Sequence, residues 1–454
     1  LSPQATIHSL YTMNYRKLTT EEITQLEANG CRCNDWNRVE AASPFRCNHY
    51  RDVSFSGDIR LGTTENQVLR NGKIPMDTGI YNAVIHNCTI GNDVFINRVG
   101  NYIADYDIAD NVMIENVGSI SMSGESAFGN GVEVSVLNET GGREVPIYDC
   151  LSAHIAYIIA MYRHDKLLIS RLRELISGYV ASKRSSTGTI ARNVTIINTG
   201  TVTDVSIGEY ATIEGATRLT NGSIVSEQAD PVFVGPNVMA EDFIMSAGAH
   251  VSEGAVLVHT FVGQATSLTR LFSAHDSLFF ANCACENGES AAIFAGPYTV
   301  TMHKSSLLIA GMFSFLNAGS GSNQSNHMYK LGPIHQGVVD RGSKTTSDSY
   351  ILWPAHIGAF SLVMGRHVSH SDTSRLPFSY LIENAGKSHL VPGVNLKSVG
   401  TIRDAMKWPK RDKRRTPRKL DFINFNLLSP YTVSKMLDGI TLLDDIETTA
   451  GATS

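Results

Sequence analysis

Histidine is the side chain here best suited to proton transfer near neutral pH, and the chain has 15. An imidazole takes and gives a proton in that range without help from a metal. Two histidines sit in similar surroundings, His86 in Val84-Ile85-His86-Asn87 and His259 in Leu257-Val258-His259-Thr260. Each reads either as a general base or as an ordinary surface histidine. Neither is followed by a carboxylate to steady an imidazolium. A third group crowds residues 275–335: His275-Asp276, Glu286, Glu289, His303-Lys304, Asn323, Asn326, His327, Lys330 and His335. In it, His275 and His327 are candidate bases. Lys304, Asn323, Asn326 and Lys330 are candidate ligands for a substrate's phosphate and polar groups. His327 and Lys330 share a face if their segment is helical. The competing reading is a polar loop that satisfies its own backbone. Arg411 and Arg414 lie in a basic run from Lys407 to Lys419 opposed only by Asp412. That run reads as a solvated tether or as an anion site for a nucleotide or coenzyme A phosphate.

The elements that must position these groups are written in a six-residue rhythm. Val84, Ile90, Ile96, Tyr102, Ile108, Ile114 and Ile120 recur at that spacing. A helix repeats at 3.6 residues and a flat strand at 2, so a sustained period of six fits neither alone. It fits a solenoid whose coil is built from short strands and turns. Asn87, Asp93, Asp105 and Asn111 fall between the apolar positions, and Asn and Asp tolerate the left-handed backbone of a tight corner. The rhythm returns at Ile207, Ile213, Leu219 and Val225, and again at Ile351, Ile357 and Val363. By this phase His86 and His259 face outward from a corner, whereas His250 and His367 point inward and read as packed.

The expected fold is an all-β solenoid, a left-handed parallel β-helix with a helical insertion and a helical C-terminal segment. Residues 1–50 form an N-terminal helical cap, where Thr19 and Glu22 make a capping box and Leu18 staples onto Ile23. The first β-helix part is 51–147. The helical insertion is 148–186, with Leu168, Leu172, Leu175 and Ile176 at helical spacing. The second β-helix part is 187–405, and the basic and helical extension is 406–454. Trp408 is placed to anchor that extension onto the solenoid.

Composition bounds the function. Hydrophobic residues are 42% and charged residues 18% of 454, and the net charge is −5. A folded protein without a polyanion-binding excess is implied, so no nucleic-acid partner is expected. Seven cysteines, an odd number, read as free thiols of a cytoplasmic protein. Cys31-x-Cys33 and Cys283-x-Cys285 lack the two-residue gap of a zinc knuckle, so no metal is expected. No apolar run is long enough to span a membrane.

Three stretches carry a resemblance. Ile90-Gly91-Asn92-Asp93-Val94, Ile207-Gly208-Glu209-Tyr210-Ala211 and Ile357-Gly358-Ala359-Phe360-Ser361 resemble the hexapeptide-repeat motif of the left-handed β-helix transferase superfamily. In more detail, Leu18 to Trp36, His275 to Cys283, Ser322 to Lys330 and Lys407 to Arg411 are similar to an uncharacterised bacterial family of β-helix proteins. The superfamily resemblance implies acyl transfer to a sugar or nucleotide sugar, with an outward histidine as base. Val84 to Gly91 resembles the catalytic coil of the sugar-nucleotide acyltransferases, with Asn87 where they have an acidic residue. The superfamily resemblance also implies acyl-CoA or acyl-carrier protein as donor, no tightly bound cofactor and a homotrimer, unless the long insertion blocks trimerisation and leaves a monomer. Carbonic anhydrases of this fold hold zinc on three histidines, a pattern His250, His259 and His275 do not match. The rival reading is a non-catalytic binding or scaffold solenoid whose insertion and basic extension contact partners.

Overall fold

A chain that coils tightly around an apolar axis must turn sharply at each corner of the coil. This chain does so with single residues in the left-handed region, which among non-glycine residues cost least at Asn and Asp. Asp204, Asn221, Asp242, His259 and Asp276 have φ of 55°, 46°, 54°, 46° and 47°, and they stack as one corner of successive coils. The computed structural model describes residues 13–70, 72–325 and 336–451. It is a parallel β-solenoid. In one coil, the strand Thr201–Ile207 supplies two faces, bending at Asp204, and Thr212–Glu214 supplies the third. We call 201–203 and its stacked equivalents the first face, 205–207 the second and 212–214 the third.

The strands pair in parallel register from coil to coil, so like residues stack. Ile190, Ile207 and Ile224 form one interior column, and Leu219, Ala240, Leu257 and Ala274 another. Each fully buried aliphatic side chain contributes roughly 1.5–3 kcal/mol relative to exposure. The six-residue rhythm holds at Ile90, Ile96, Ile108, Ile114 and Ile120, all buried. It fails at Val84 and Tyr102, which are 41% and 45% exposed, while Ile85 and Ile103 take the inward places. The pairing of the two strands that carry these residues shifts register by two residues between Tyr81 and Ile85, so that the buried Ile80 and Ile85 stand five apart where Ile96 and Ile103 stand seven apart. His367 is buried, as its phase requires, but His250 points outward and stacks on the Phe233 ring at 4.8 Å.

The N-terminal helix α1 (Thr20–Ala28) opens with the capping box of Thr19 and Glu22. The chain leaves the first face after Ser121 and rejoins the second face at Gly188. The arm between them comprises a hairpin (Glu133–Ser135 with Glu144–Pro146) and two helices, α2 (Ala153–Met161) and α3 (Lys166–Ala181). It packs against the outside of the second face. Val134, Val136, Val145, Ile159 and Ile176 form one apolar cluster with the outward-facing Ile244, Phe261, Leu278, Phe280 and Phe294. After helix α4 (Val399–Lys407), residues 408–421 run across several coils, and helix α5 (Pro430–Gly451) ends the described chain. No helix among the described residues is long and apolar enough to cross a membrane.

Candidate functional site

The corner between the first and second faces gathers the titratable groups. His259 occupies the corner itself, in a left-handed conformation unusual for a bulky residue. Its neighbours along the stack are Asp242 and, 17 residues onward, Asp276. The imidazole therefore lies between two carboxylates. Nε2 is 3.2 Å from Asp242 Oδ2, and Nδ1 is 3.2 Å from Asp276 Oδ1. Asp276 reaches a second ring, with Oδ2 2.9 Å from His275 Nδ1. The two imidazole centroids are 5.5 Å apart. The His275 side chain is 58% exposed, whereas those of Asp242 and Asp276 are 24% and 19% exposed. The cluster thus opens to solvent on the His275 side and is rooted in the coil on the other.

The arm brackets this corner. At one end, Asn221 Oδ1 accepts from the Gly129 backbone N–H at 2.9 Å. At the other, the Leu137 N–H donates to the Ala292 carbonyl at 2.7 Å. Asp242, His259 and Asp276 stand on the coils between those two attachments.

His86 occupies the position that His275 holds, seven strand pairings away along one ladder, and has neutral neighbours. Ser56 Oγ is 2.8 Å from its Nδ1, and Asn87 Nδ2 is 3.0 Å from its Nε2. Both ring nitrogens are engaged by amide or hydroxyl groups. Next to it, Asp58, Arg60, Thr89, Asp105, Asp107 and the root of the arm enclose a polar cleft of about 720 Å³. A second cleft of about 420 Å³, more apolar, lies between α2 and the second face and includes Tyr157, Phe294, Met312, Asp340, Arg341 and Tyr431.

Other candidates fall elsewhere. Lys304 is exposed in a turn, away from the histidine cluster in sequence and in strand pairing. Asn323 lies on the first face and accepts a hydrogen bond from Ser325 Oγ at 2.6 Å. Asn326, His327 and Lys330 lie outside the described residues. Arg411 is exposed, but Arg414 is only 6% exposed. The Arg414 guanidinium donates to both Asp412 oxygens at 2.9 Å and to the Asp421 carbonyl at 2.8 Å, which occupies its donors within the extension.

The basic run lies along the solenoid as a strap, fastened by side chains of three coils that imitate a strand partner. The buried Asp230 carboxylate accepts the backbone N–H groups of Arg415 and Thr416 at 2.9 and 3.2 Å. Gln264 donates to the Arg418 carbonyl at 2.8 Å and accepts from the Leu420 N–H at 2.9 Å. Asn282 pairs with Asp412 at 3.0 Å and with the Lys413 N–H at 2.9 Å. Trp408 packs on Phe315 with centroids 4.4 Å apart, the anchoring its place in the sequence suggested. Farther along, the Asp421 carboxylate accepts from the Ala153 N–H at the start of α2 and from the Ala281 N–H of the solenoid, at 2.7 and 3.0 Å. Burial pushes the Asp421 carboxyl above its ordinary range.

Known proteins add a family to this geometry. A family model described as "Domain of unknown function (DUF4954)" matches residues 15–447. The chain belongs to the DUF4954 family. An "Uncharacterized protein" of Treponema pallidum (strain Nichols) is 27% identical over 95% of this chain, and this DUF4954 chain spans 61% of that relative's length. The family description assigns no reaction. Reading by hexads missed Asp242 as a partner of His259 and left Asp276 as a sequence neighbour of His275 alone. Reading at the period of a whole coil, 17 residues here, brings all of them together.

Proposed function

We propose that this DUF4954 chain is an acyltransferase whose acceptor, a hydroxyl or amino group of a sugar or nucleotide sugar, is activated at the His259–Asp276–His275 cluster. The observation that carries the reading is the carboxylate of Asp276 standing between two imidazoles on an open corner, backed by Asp242. Such a constellation stabilises the positive charge that appears when a neighbouring hydroxyl or amine gives up its proton. The acceptor atom then bonds to the carbonyl carbon of a thioester donor, acyl-CoA or acyl-carrier protein. The carbon–sulfur bond breaks, and the departing thiolate takes up the proton released from the acceptor. The hexapeptide-like glycine motifs support this assignment, and a trimer would bring a neighbouring copy's coils to the exposed His275 side.

The test is thiol release from a panel of acyl-CoAs in the presence of amino sugars and nucleotide sugars. Turnover that requires both donor and acceptor, falls at least about 10²-fold in His259→Ala and persists in His86→Ala is the expected result. Turnover lost equally in both variants, or absent with every pair from folded protein, overturns the assignment.

A further inference from the structure

We propose that the same corner is a zinc site, with His259 Nδ1, His275 Nδ1 and one oxygen of Asp276 as ligands and Asp242 as the group that orients His259. One donor atom from each of the three ligands lies within 4.8 Å of the others. Two of the separations, 3.2 Å from His259 Nδ1 to Asp276 Oδ1 and 2.9 Å from His275 Nδ1 to Asp276 Oδ2, are already those of neighbouring ligands. Tetrahedral zinc with bonds of about 2.0–2.1 Å spaces its ligand atoms roughly 3.3 Å apart. The two contacts use different oxygens of Asp276, so coordination through one oxygen requires the side chains to turn toward each other within the 4.8 Å span.

Asp242 makes this more than a chance meeting of polar groups. Its Oδ2 is 3.2 Å from His259 Nε2. A carboxylate there favours the tautomer with hydrogen on Nε2, which turns the Nδ1 lone pair toward the other two ligands. Metal-bound histidines generally donate their second ring nitrogen to such a carboxylate. His259 itself sits at the corner, in a left-handed backbone conformation. The ligand set is two imidazoles and one carboxylate. It suits zinc over magnesium or calcium, which prefer oxygen alone.

Three protein ligands leave a fourth position open, and it faces solvent, since the His275 side chain is 58% exposed. An open position is the mark of a catalytic zinc and not of a structural one. The consequence rests on the acyl-transfer reading. Zinc there would acidify a bound acceptor hydroxyl, and with His259 and His275 then held as ligands the proton would go to water, from which the departing thiolate would be protonated in turn.

Zinc binding is measured on chelator-treated full-length protein with no substrate present, by titration calorimetry with zinc chloride and by visible absorption of the cobalt(II)-loaded protein. One zinc per chain is expected, with cobalt bands of a four- or five-coordinate site. His259→Ala should abolish binding, His86→Ala should leave it unchanged, and Asp242→Asn should weaken it about 10–100-fold while keeping the stoichiometry. No saturable binding, or binding unaltered in His259→Ala, overturns the zinc site. An Asp242→Asn protein with native affinity overturns the orienting role. A chain that binds zinc in this way but transfers no acyl group retains the site and loses the acyltransferase assignment, and acyl transfer by metal-free protein retains that assignment and removes zinc from the reaction.

Discussion

His86 with Asn87 and His275 with Asp276 are the same structural unit built twice. In each, a histidine closes the first face and the next residue turns the corner, with φ of 48° at Asn87 and 47° at Asp276. Along the stack they lie about 34 Å apart, taking roughly 4.8 Å for each strand pairing. They differ in what the corner residue is and what stands beside it. Asn87 stacks on Gly57 and gives an amide hydrogen bond to Asp105 at 3.1 Å. Asp276 stacks on His259, itself backed by Asp242. A neutral amide over a glycine makes a good corner. A carboxylate between two imidazoles brings together groups able to hold and pass a proton. On the acyl-transfer reading the same backbone hosts structure at one end and chemistry at the other, and the side chains alone decide which.

The comparison breaks most sharply if the second pair is converted into the first. Asp276→Asn removes the charge between the rings and keeps the corner, since Asn takes the left-handed conformation as readily as Asp. Acyl transfer should fall by at least about 10²-fold, with the thermal midpoint nearly unchanged. Steady-state kinetics beside a melting curve checks both. A small loss of activity would mean that the two units differ in composition and not in role.

The first pair has its own weak point, which is structural. Gly57 adopts a φ of 68° under Asn87, and a Cβ there would run into the Asn87 side chain. Gly57→Ala should destabilise the early coils by about 2 kcal/mol through backbone strain and that clash. Hydrogen exchange should show protection lost around residues 53–61 and retained around residues 256–279. Uniform loss along the solenoid would show that the coils unfold as one unit, against the nearest-neighbour behaviour expected of a solenoid.

Much of this was legible in the sequence, for a definite reason. Interior columns must be apolar coil after coil, so the solenoid declared itself in Ile90, Ile96, Ile108 and Ile114, all buried. Corner residues were legible too, because Asn and Asp are favoured where φ is positive. The pairing of His259 with Asp242 and Asp276 was not. Adjacency across coils depends on the number of residues per turn, which varies with every bulge. It is 17 from His259 to Asp276, but 21 from Asn221 to Asp242. The cover on the second face left a signal that hexad counting passed over. Phe243-Ile244-Met245 and Leu278-Phe279-Phe280 are apolar on both sides of the strand, as a strand buried on both faces must be. The strap was the least legible part. Its cations suggested a ligand site, whereas the groups that fasten it are its own backbone and the buried Asp230, Gln264 and Asn282.

That strap crosses the coils of the second pair and supplies a smaller, pH-dependent contrast. Burial works to raise the Asp412 carboxyl, but hydrogen bonds from Arg414 and Asn282 outweigh it and hold the carboxyl well below its ordinary range. A depressed carboxylate contributes stability that is present above its unfolded value and is lost as pH falls through the folded one. Acidification below the ordinary carboxylate range should therefore loosen 408–421 and the coils around 264–282 before it affects the coils around His86. Exchange mass spectrometry across an acid series checks the order, and Asp412→Ala should produce the same loosening at neutral pH.

The smallest effect is the most discriminating. Asn87→Asp gives the first pair the sequence of the second, histidine then aspartate, at the same place in the coil. It cannot supply the second imidazole, because Gly57 stands where His259 stands beside Asp276. Acyl transfer at the His259 corner should change less than about twofold, and no second zinc should bind, since two ligands on a surface corner do not hold the ion. The new carboxylate would face Asp105 across the stack, so a modest loss of stability, within about 1 kcal/mol at this exposed position, is expected. Equilibrium zinc stoichiometry decides the matter. One zinc per chain in Asn87→Asp assigns the chemistry to the stacked histidine, and a second zinc would assign it to the His–Asp dipeptide alone.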